Sequence, residues 1–329
     1  MGAVRIRDIG IYHPANEVAN DYYIERFRKQ GTDVTGLLKA LGRDKRYVIE
    51  DSGENSLTMS IEASNNVLRS SGLTGRDIDL IIFTSQTPEY LLPSNALKLH
   101  NALGGDLNTV CFDINANCAG MLVAVEQASR YMLGNPRIER ALVVGADSIS
   151  VHSPNEPVYH SNFADSAVAV ILERASDTRG FIDSVYQTDT SVINNSLFPA
   201  QGLSNLYREE YTAKDAQIKF MPFDDSVCVD SAVDTVRILL ERNGLAKEEI
   251  GSFLFSQFSI GNLKLVSERL GIDADKVPYI GDRYGYTATN SPFVALYEAL
   301  KEGKIARGDY LVFWTVGAGW QNVSLLLQY

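Results

Sequence analysis

The sequence predicts an α/β protein made of two similar halves, residues 1–175 and 176–329. Three observations predict it. Short apolar runs of strand character alternate with longer helical runs along the whole chain. GLTGRDIDLIIF (Gly72–Phe83) lines up with GLAKEEIGSFLF (Gly244–Phe255), sharing Gly, Leu, Ile and Phe and an acidic residue before the Ile. Downstream, MLVAVEQA…RIERALVVGA parallels PFVALYEA…KIARGDYLVFWTVGA. Matching spacing across two consecutive units points to two halves packed about a pseudo-twofold axis. Each half is expected to be a mixed sheet flanked by helices, with a site where helix N-termini from the two halves converge.

The elements follow in order. Val4–Tyr12 reads as a strand, and Leu57–Ser71 as an amphipathic helix that stops at Gly72. Asp79–Thr84 is a buried strand by its continuous apolar run, which needs cover on both faces. Pro93–Leu103 reads as a helix opened by proline. Thr109–Ile114 is a short strand, Cys118–Leu133 a long helix and Arg140–Gly145 a second buried strand. Ala167–Leu172 and Phe181–Gln187 read as paired strands, and Thr188 to Asp225 as an extended loop region. In the second half, Asp230–Asn243, Ile260–Leu270 and Ser291–Glu302 are helices. Ser252–Phe255, Tyr310–Phe313 and Val323–Gln328 are strands.

Composition narrows the function. With 45% apolar and 22% charged residues, the chain can bury a large core. A net charge of −11 argues against nucleic acid or an anionic membrane as partner. No apolar run is long enough to span a bilayer, and the N-terminus lacks a secretory apolar region, so a cytoplasmic location is expected. Cys111, Cys118 and Cys228 form neither a disulfide framework nor a zinc motif, so no metal is expected. Reduced thiols are the simple reading.

One cysteine stands apart. In DINANCAGMLVAVEQA, Cys118 opens a helix and is followed by the small residues Ala119 and Gly120. A helix N-terminus favours thiolate over thiol, and a thiolate attacks thioesters. Its own backbone N–H can donate to a developing oxyanion. Free cysteines are usually small buried hydrophobes. That reading is taken for Cys111 and Cys228 but not for Cys118.

Several segments carry a family resemblance over essentially the whole chain: DINANCAGMLVAVEQASRYM, GLTGRDIDLIIFTSQTPEYLLPS, ALVVGADSIS, FADSAVAVILER, NLKLVSERLGI and GKIARGDYLVFWTVGAGW. The chain resembles a thiolase-fold condensing enzyme, most closely beta-ketoacyl-ACP synthase III. The resemblance implies a five-layered αβαβα fold and, normally, a homodimer. It implies that Cys118 takes an acyl group from a thioester on coenzyme A or acyl carrier protein, with no permanently bound cofactor. It also implies a second oxyanion donor in the turn Gly317-Ala318-Gly319, where Ala318 takes the donor position.

The departures are as informative. The family pairs its cysteine with a histidine and an asparagine. Counting back from Leu270 in SQFSIGNLKLVSERLG puts Ser256 at the histidine position, with Phe258 and Ser259 replacing Ala and Asn. In Gly285-Tyr286-Thr287, Tyr286 stands where the asparagine belongs. Serine is shorter and cannot take up a proton at neutral pH, and tyrosine offers one donor on a much larger ring. Of the chain's four histidines, His13 reads as a surface-turn residue and His100 as one on a polar helix face. His152 and His160 read as loop residues, with His160 a candidate near the substrate entrance. Glu89, on a segment that approaches the neighbouring active site in this family, is a second candidate. Asn290 is read as capping the helix from Ser291 rather than as a donor. The segment VTGLLKALGRDKRYV lacks the family's adenine-holding Trp and Arg, leaving Arg43, Lys45 and Arg46 to meet a phosphate. That loss tilts the expected donor towards a carrier protein.

Three functions follow. The first is acylation of Cys118 and then a specialised condensation or acyl transfer. The second is a non-catalytic or half-catalytic subunit of a heterodimer with a related condensing enzyme. The third is an initiating 3-oxoacyl-ACP synthase.

Overall fold

The computed structural model describes residues 2–51 and 53–329. Its main elements in chain order are β1 (Ala3–Tyr12), α1 (Asn20–Arg28), α2 (Thr35–Leu41), α3 (Ser56–Ser71), β2 (Leu80–Thr84) and α4 (Asn95–Leu103). Next come β3 (Val110–Ile114), α5 (Gly120–Gly134), β4 (Arg140–Asp147), α6 (Pro157–Asn162), β5 (Ser166–Ala175) and β6 (Phe181–Thr188). The chain finishes with α7 (Ser226–Asn243), β7 (Ile250–Phe255), α8 (Ile260–Leu270), α9 (Ser291–Lys301), β8 (Tyr310–Gly317) and β9 (Gln321–Gln328).

Two sheets organise the chain. The first has strand order β1-β5-β4-β2-β3, and the second β7-β8-β9-β6. β2 runs parallel to β3 and β4, and β7 parallel to β8; the other main pairings are antiparallel.

Alternation within the strands sorts side chains into layers. Ile81 and Phe83 of β2 pack outward with Met59, Ala63 and Val67 of α3 and Leu99 of α4. Leu80 and Ile82 point inward to Met121, Val125, Phe293 and Leu296 on α5 and α9, which also pack on Phe313 and Leu325 of the second sheet. Val233 and Leu239 of α7 and Leu263 of α8 cover the far face through Phe253, Val312 and Leu326. The result is the five-layered αβαβα, thiolase-like arrangement, with α5 sandwiched between the sheets.

Local chemistry sets the boundaries. Asn55 caps α3, its Oδ1 accepting from the N–H groups of Leu57 and Thr58 at 3.0 Å each. Gly72 ends the helix in the left-handed conformation at φ 68°.

Four expectations need correction. The strands beginning at Ser166 and Phe181 do not pair: β5 lies between β1 and β4, while β6 pairs with β9. The helix expected from Pro93 begins at Asn95, whose N–H donates to Asp113 Oδ2 at 2.7 Å. The stretch 188–225 is largely irregular but includes a short ladder of Ser196–Leu197 with Lys219–Phe220. Asn290 occupies the capping position of α9, yet its side chain does not cap. It donates instead to the carbonyls of Gly145 and Ser166, both at 3.2 Å.

Candidate active site

Cys118 sits on a single 3-10 turn, Asn117–Ala119, that leads into α5. Asn117 holds the left-handed conformation at φ 52°, which asparagine tolerates better than most residues. Its Nδ2 donates to Ala318 O at 3.0 Å. Thr315 Oγ1 donates to Cys118 O at 3.2 Å, so β8 of the second sheet grips the turn. Two glycines permit this approach. A Cβ on Gly317 would lie 2.6 Å from Ala116 O, and one on Gly120 would lie 2.2 Å from Thr84 Oγ1. Met121 N–H, in the first turn of α5, donates to Thr289 Oγ1 at 3.1 Å.

The Cys118 thiol faces a mainly apolar cavity of about 70 Å3. Phe163, Phe220, Phe258 and Trp320 supply much of its wall, and Ala318, at the expected second oxyanion position, lines it too. Tyr286 lines the same cavity, its phenol close enough to the thiol to bear on its titration. Ser256, at the end of β7 and 2% exposed, donates from Oγ to Tyr286 Oη at 3.3 Å. The Tyr286 ring sits edge-on to Phe163 at 4.8 Å and to Phe258 at 5.3 Å. The structure therefore brings together Cys118, Ser256, Tyr286, Phe258 and Ala318.

Burial outweighs the helix terminus at the sulfur. It pushes the Cys118 thiol up to about 11, against the lowering influence of the Tyr286 and Gln86 hydrogen bonds. Burial, with the neighbouring cysteine, holds Tyr286 well above the ordinary tyrosine range, so its phenol stays protonated as a donor.

Gln86 and Asp147 were not among the residues singled out, although both lie in segments noted for the resemblance. Gln86 Nε2 lies 3.7 Å from Cys118 Sγ and 3.2 Å from Asp147 Oδ2. The Asp147 carboxyl also accepts from Gln86 N at 2.9 Å, Ser85 Oγ at 3.0 Å and Thr289 N at 3.1 Å. Burial pushes it up to about 6 despite these donors. An aspartate at the C-terminal end of a buried parallel strand was the signal that could have found it. Cys228, read as a packing thiol, is buried on α7 and lines the Cys118 cavity.

Other candidates lie elsewhere. Arg43 and Arg46 are 2% and 0% exposed and face the interior, not solvent. Arg43 Nη2 donates to the carbonyls of Gln257 at 2.7 Å and Phe258 at 2.6 Å, and Nε to Asn162 Oδ1 at 2.6 Å. Arg46 stacks over the Tyr23 ring at 4.3 Å and donates to Asn20 Oδ1 at 2.9 Å. Lys45 is the exposed one of the three and pairs with Glu17 at 2.6 Å. The two buried guanidiniums are occupied with backbone and side chains, which corrects the expectation that they meet a phosphate. His160 lies on α6, not in a loop, edge-on to Tyr23 at 5.5 Å and Phe27 at 6.0 Å, outside the residues lining the Cys118 cavity. Glu89 is exposed and also outside that lining. Among the described residues no helix is long and apolar enough to cross a membrane.

Known proteins match this architecture. The sequence profile described as 3-oxoacyl-[acyl-carrier-protein (ACP)] synthase III matches residues 112–190, and the profile of its C-terminal part matches residues 240–329. The chain is 29% identical over 331 residues to beta-ketoacyl-[acyl-carrier-protein] synthase III of Neisseria meningitidis, covering 100% of each. It is 26% identical over 319 residues to synthase III 2 of Bacteroides thetaiotaomicron, covering 95% of this chain and 92% of that one. The crystal structure of 3-oxoacyl-[acyl-carrier-protein] synthase III from Aquifex aeolicus superposes with a TM-score of 0.85 at 25% identity, covering 99% of this chain and 100% of that one. A Xanthomonas campestris OleA with bound lauric acid and lauroyl-CoA shares the fold at a TM-score of 0.84 and 19% identity, covering 99% of each. A thiol opening a sandwiched helix, two sheets gripping it, and profile matches over just over half of the sequence lead to one conclusion: the chain belongs to the 3-oxoacyl-[acyl-carrier-protein] synthase III family of condensing enzymes.

Proposed function

We propose that Cys118 accepts an acyl group from an acyl-CoA or acyl-ACP thioester, and that the acyl-enzyme then undergoes a specialised condensation or acyl transfer. The observation that carries this reading is the Cys118 thiol and the Tyr286 phenol lining one mainly apolar cavity, with the Ser256 hydroxyl hydrogen-bonded to the phenol behind it. The sulfur attacks the thioester carbonyl, the Cys118 and Ala318 backbone N–H groups meet the developing oxyanion, and the departing thiol of the donor carries away the proton. The aromatic wall suits an apolar acyl chain. Tyr286, kept protonated, donates to the sulfur before acylation and to a carbonyl oxygen afterwards. No permanently bound cofactor is needed for either step.

The first half, residues 1–175, supplies the nucleophile, and the second, 176–329, completes the site through Ser256, Tyr286 and Ala318. The active form is a homodimer. Tyr90, Leu91 and Leu92, next to Glu89, are 42%, 69% and 87% exposed and support an interface there.

The test is intact-mass spectrometry after incubation with acyl-CoA and acyl-ACP. An adduct that is absent in Cys118→Ala supports the proposal, and no adduct from any donor sinks it. Family membership favours a second reading, an ordinary initiating synthase. It requires malonyl-ACP decarboxylation and acetoacetyl-ACP formation in the same preparation.

A further inference from the structure

A second chamber of about 70 Å3 adjoins the apolar one and shares Tyr159, Ser196 and Ala318 with it. Tyr159 Oη and Ser196 Oγ hydrogen-bond at 2.5 Å on that shared wall. The remaining lining is more polar: beside Phe198 and Ile218, Gln86, Thr87, Asn115 and Asn117 bring amides and a hydroxyl. Among the described residues that line it there is no Lys, Arg, His, Asp or Glu. A charged group would enter without a counter-charge, and a purely apolar one would leave the amides unmatched.

Gln86 connects the chamber to the chemistry. Asp147 accepts from both its backbone N–H and its Nε2. A carboxylate only accepts, so Nε2 must face Asp147, and this fixes which way the amide points. The same Nε2 lies 3.7 Å from Cys118 Sγ.

We propose that this chamber is a second subsite of the Cys118 centre. It takes a small uncharged group that donates and accepts hydrogen bonds, a hydroxyl-bearing fragment, with Gln86 touching both that fragment and the sulfur and Asp147 positioning Gln86. The proposal rests on Cys118 carrying an acyl group. The fragment has two sources, the far end of the acyl group or the molecule that accepts it. In the second case the hydroxyl oxygen bonds to the acyl carbon, the carbon–sulfur bond breaks, and the hydroxyl proton ends on Cys118 as the thiol re-forms.

The experiment uses the full chain and intact-mass spectrometry. Butyryl-CoA and 3-hydroxybutyryl-CoA compete for loading in one arm. In the other, butyryl-enzyme is exposed to glycerol and the solution is searched for the ester. A preference for the hydroxylated acyl group of about 5- to 10-fold, the size of one neutral hydrogen bond, assigns the chamber to the acyl head. Ester formation assigns it to the acceptor. Either effect should fall below about twofold in Asn115→Leu and return in Asn115→Gln, with unchanged melting temperatures. Equal loading of the two esters together with no glycerol ester overturns the subsite and leaves the acyl-enzyme standing. No adduct with either ester removes the acyl-enzyme, and the subsite with it.

Discussion

Ser256 Oγ donates to Tyr286 Oη at 3.3 Å, joining the end of β7 to the loop before α9 directly beneath the Cys118 cavity. The resemblance implies that these two residues stand at the family's histidine and asparagine positions. The Ser256 hydroxyl orients the phenol, which shares the cavity with the thiol.

Tyr286→Phe deletes that donor while keeping the ring against Phe163 and Phe258. A hydrogen bond to a charged partner is worth about 1.5–3 kcal/mol, so acylation is expected to slow roughly 10- to 100-fold. Loading rates from acyl-CoA check this. A rate within twofold of wild type would remove Tyr286 from the first step.

Alkylation should follow the thiol's raised value. With Cys118 pushed up to about 11, mainly by burial, the iodoacetamide rate is expected to climb about tenfold per pH unit from neutrality and to level off only near that value. A plateau below pH 8 would contradict the burial argument.

His160 predicts an acid response. Burial beside Tyr23 and Phe27 lowers it from 6.5 to about 4, and its Nδ1 is buried without a hydrogen-bond partner among the described residues. The unfolded chain therefore binds the proton more readily between these values. The stability is fully present above 6.5 and is lost as pH falls through about 4. His160→Phe should flatten this part of the melting curve against pH, removing about 3 kcal/mol of acid sensitivity. An unchanged slope would show that other groups set it.

Arg43→Ala tests a structural role against a phosphate-binding one. Its guanidinium holds the Gln257 and Phe258 carbonyls beneath the cavity, so the loss should cost about 3 kcal/mol of stability and lower the melting temperature. The expected KM ratio of CoA to carrier-protein donors stays constant. A selective rise for CoA esters would restore the phosphate role.

Gly120→Ala places a Cβ 2.2 Å from Thr84 Oγ1 and 2.6 Å from Thr289 Oγ1, neither of which is a flexible chain end. The start of α5 must shift. The expected cost is about 1–3 kcal/mol, together with loss of loading at temperatures where the protein remains folded, checked by circular dichroism beside mass spectrometry.

Strand positions were largely legible because buried strands such as Leu80–Thr84 need apolar residues on both faces. Their partners were not. Hydrophobicity says that Ser166–Ala175 and Phe181–Thr188 are strands, but nothing local says that they belong to different sheets. α1 was missed because NDYYIERFR is mostly polar, and only Tyr23 and Phe27 are buried. Arg43 and Arg46 were misread for the same reason: a charged side chain looks solvated until its buried acceptors are known. Cys118 stood out because its neighbours are unusually small. Gln86 and Asp147 did not, since each gains meaning only from the other and from a sulfur brought close by folding.

The grip of both sheets on Cys118 turns its thiol into a reporter of cooperativity. Thr315 and Asn117 tie the cysteine turn to β8, and Thr289 holds the start of α5. A reagent too bulky for the cavity gains access to the sulfur only when these ties let go. Labelling by such a reagent, followed over time in native buffer, then measures the free energy of parting the two sheets, an opening reaction distinct from complete unfolding.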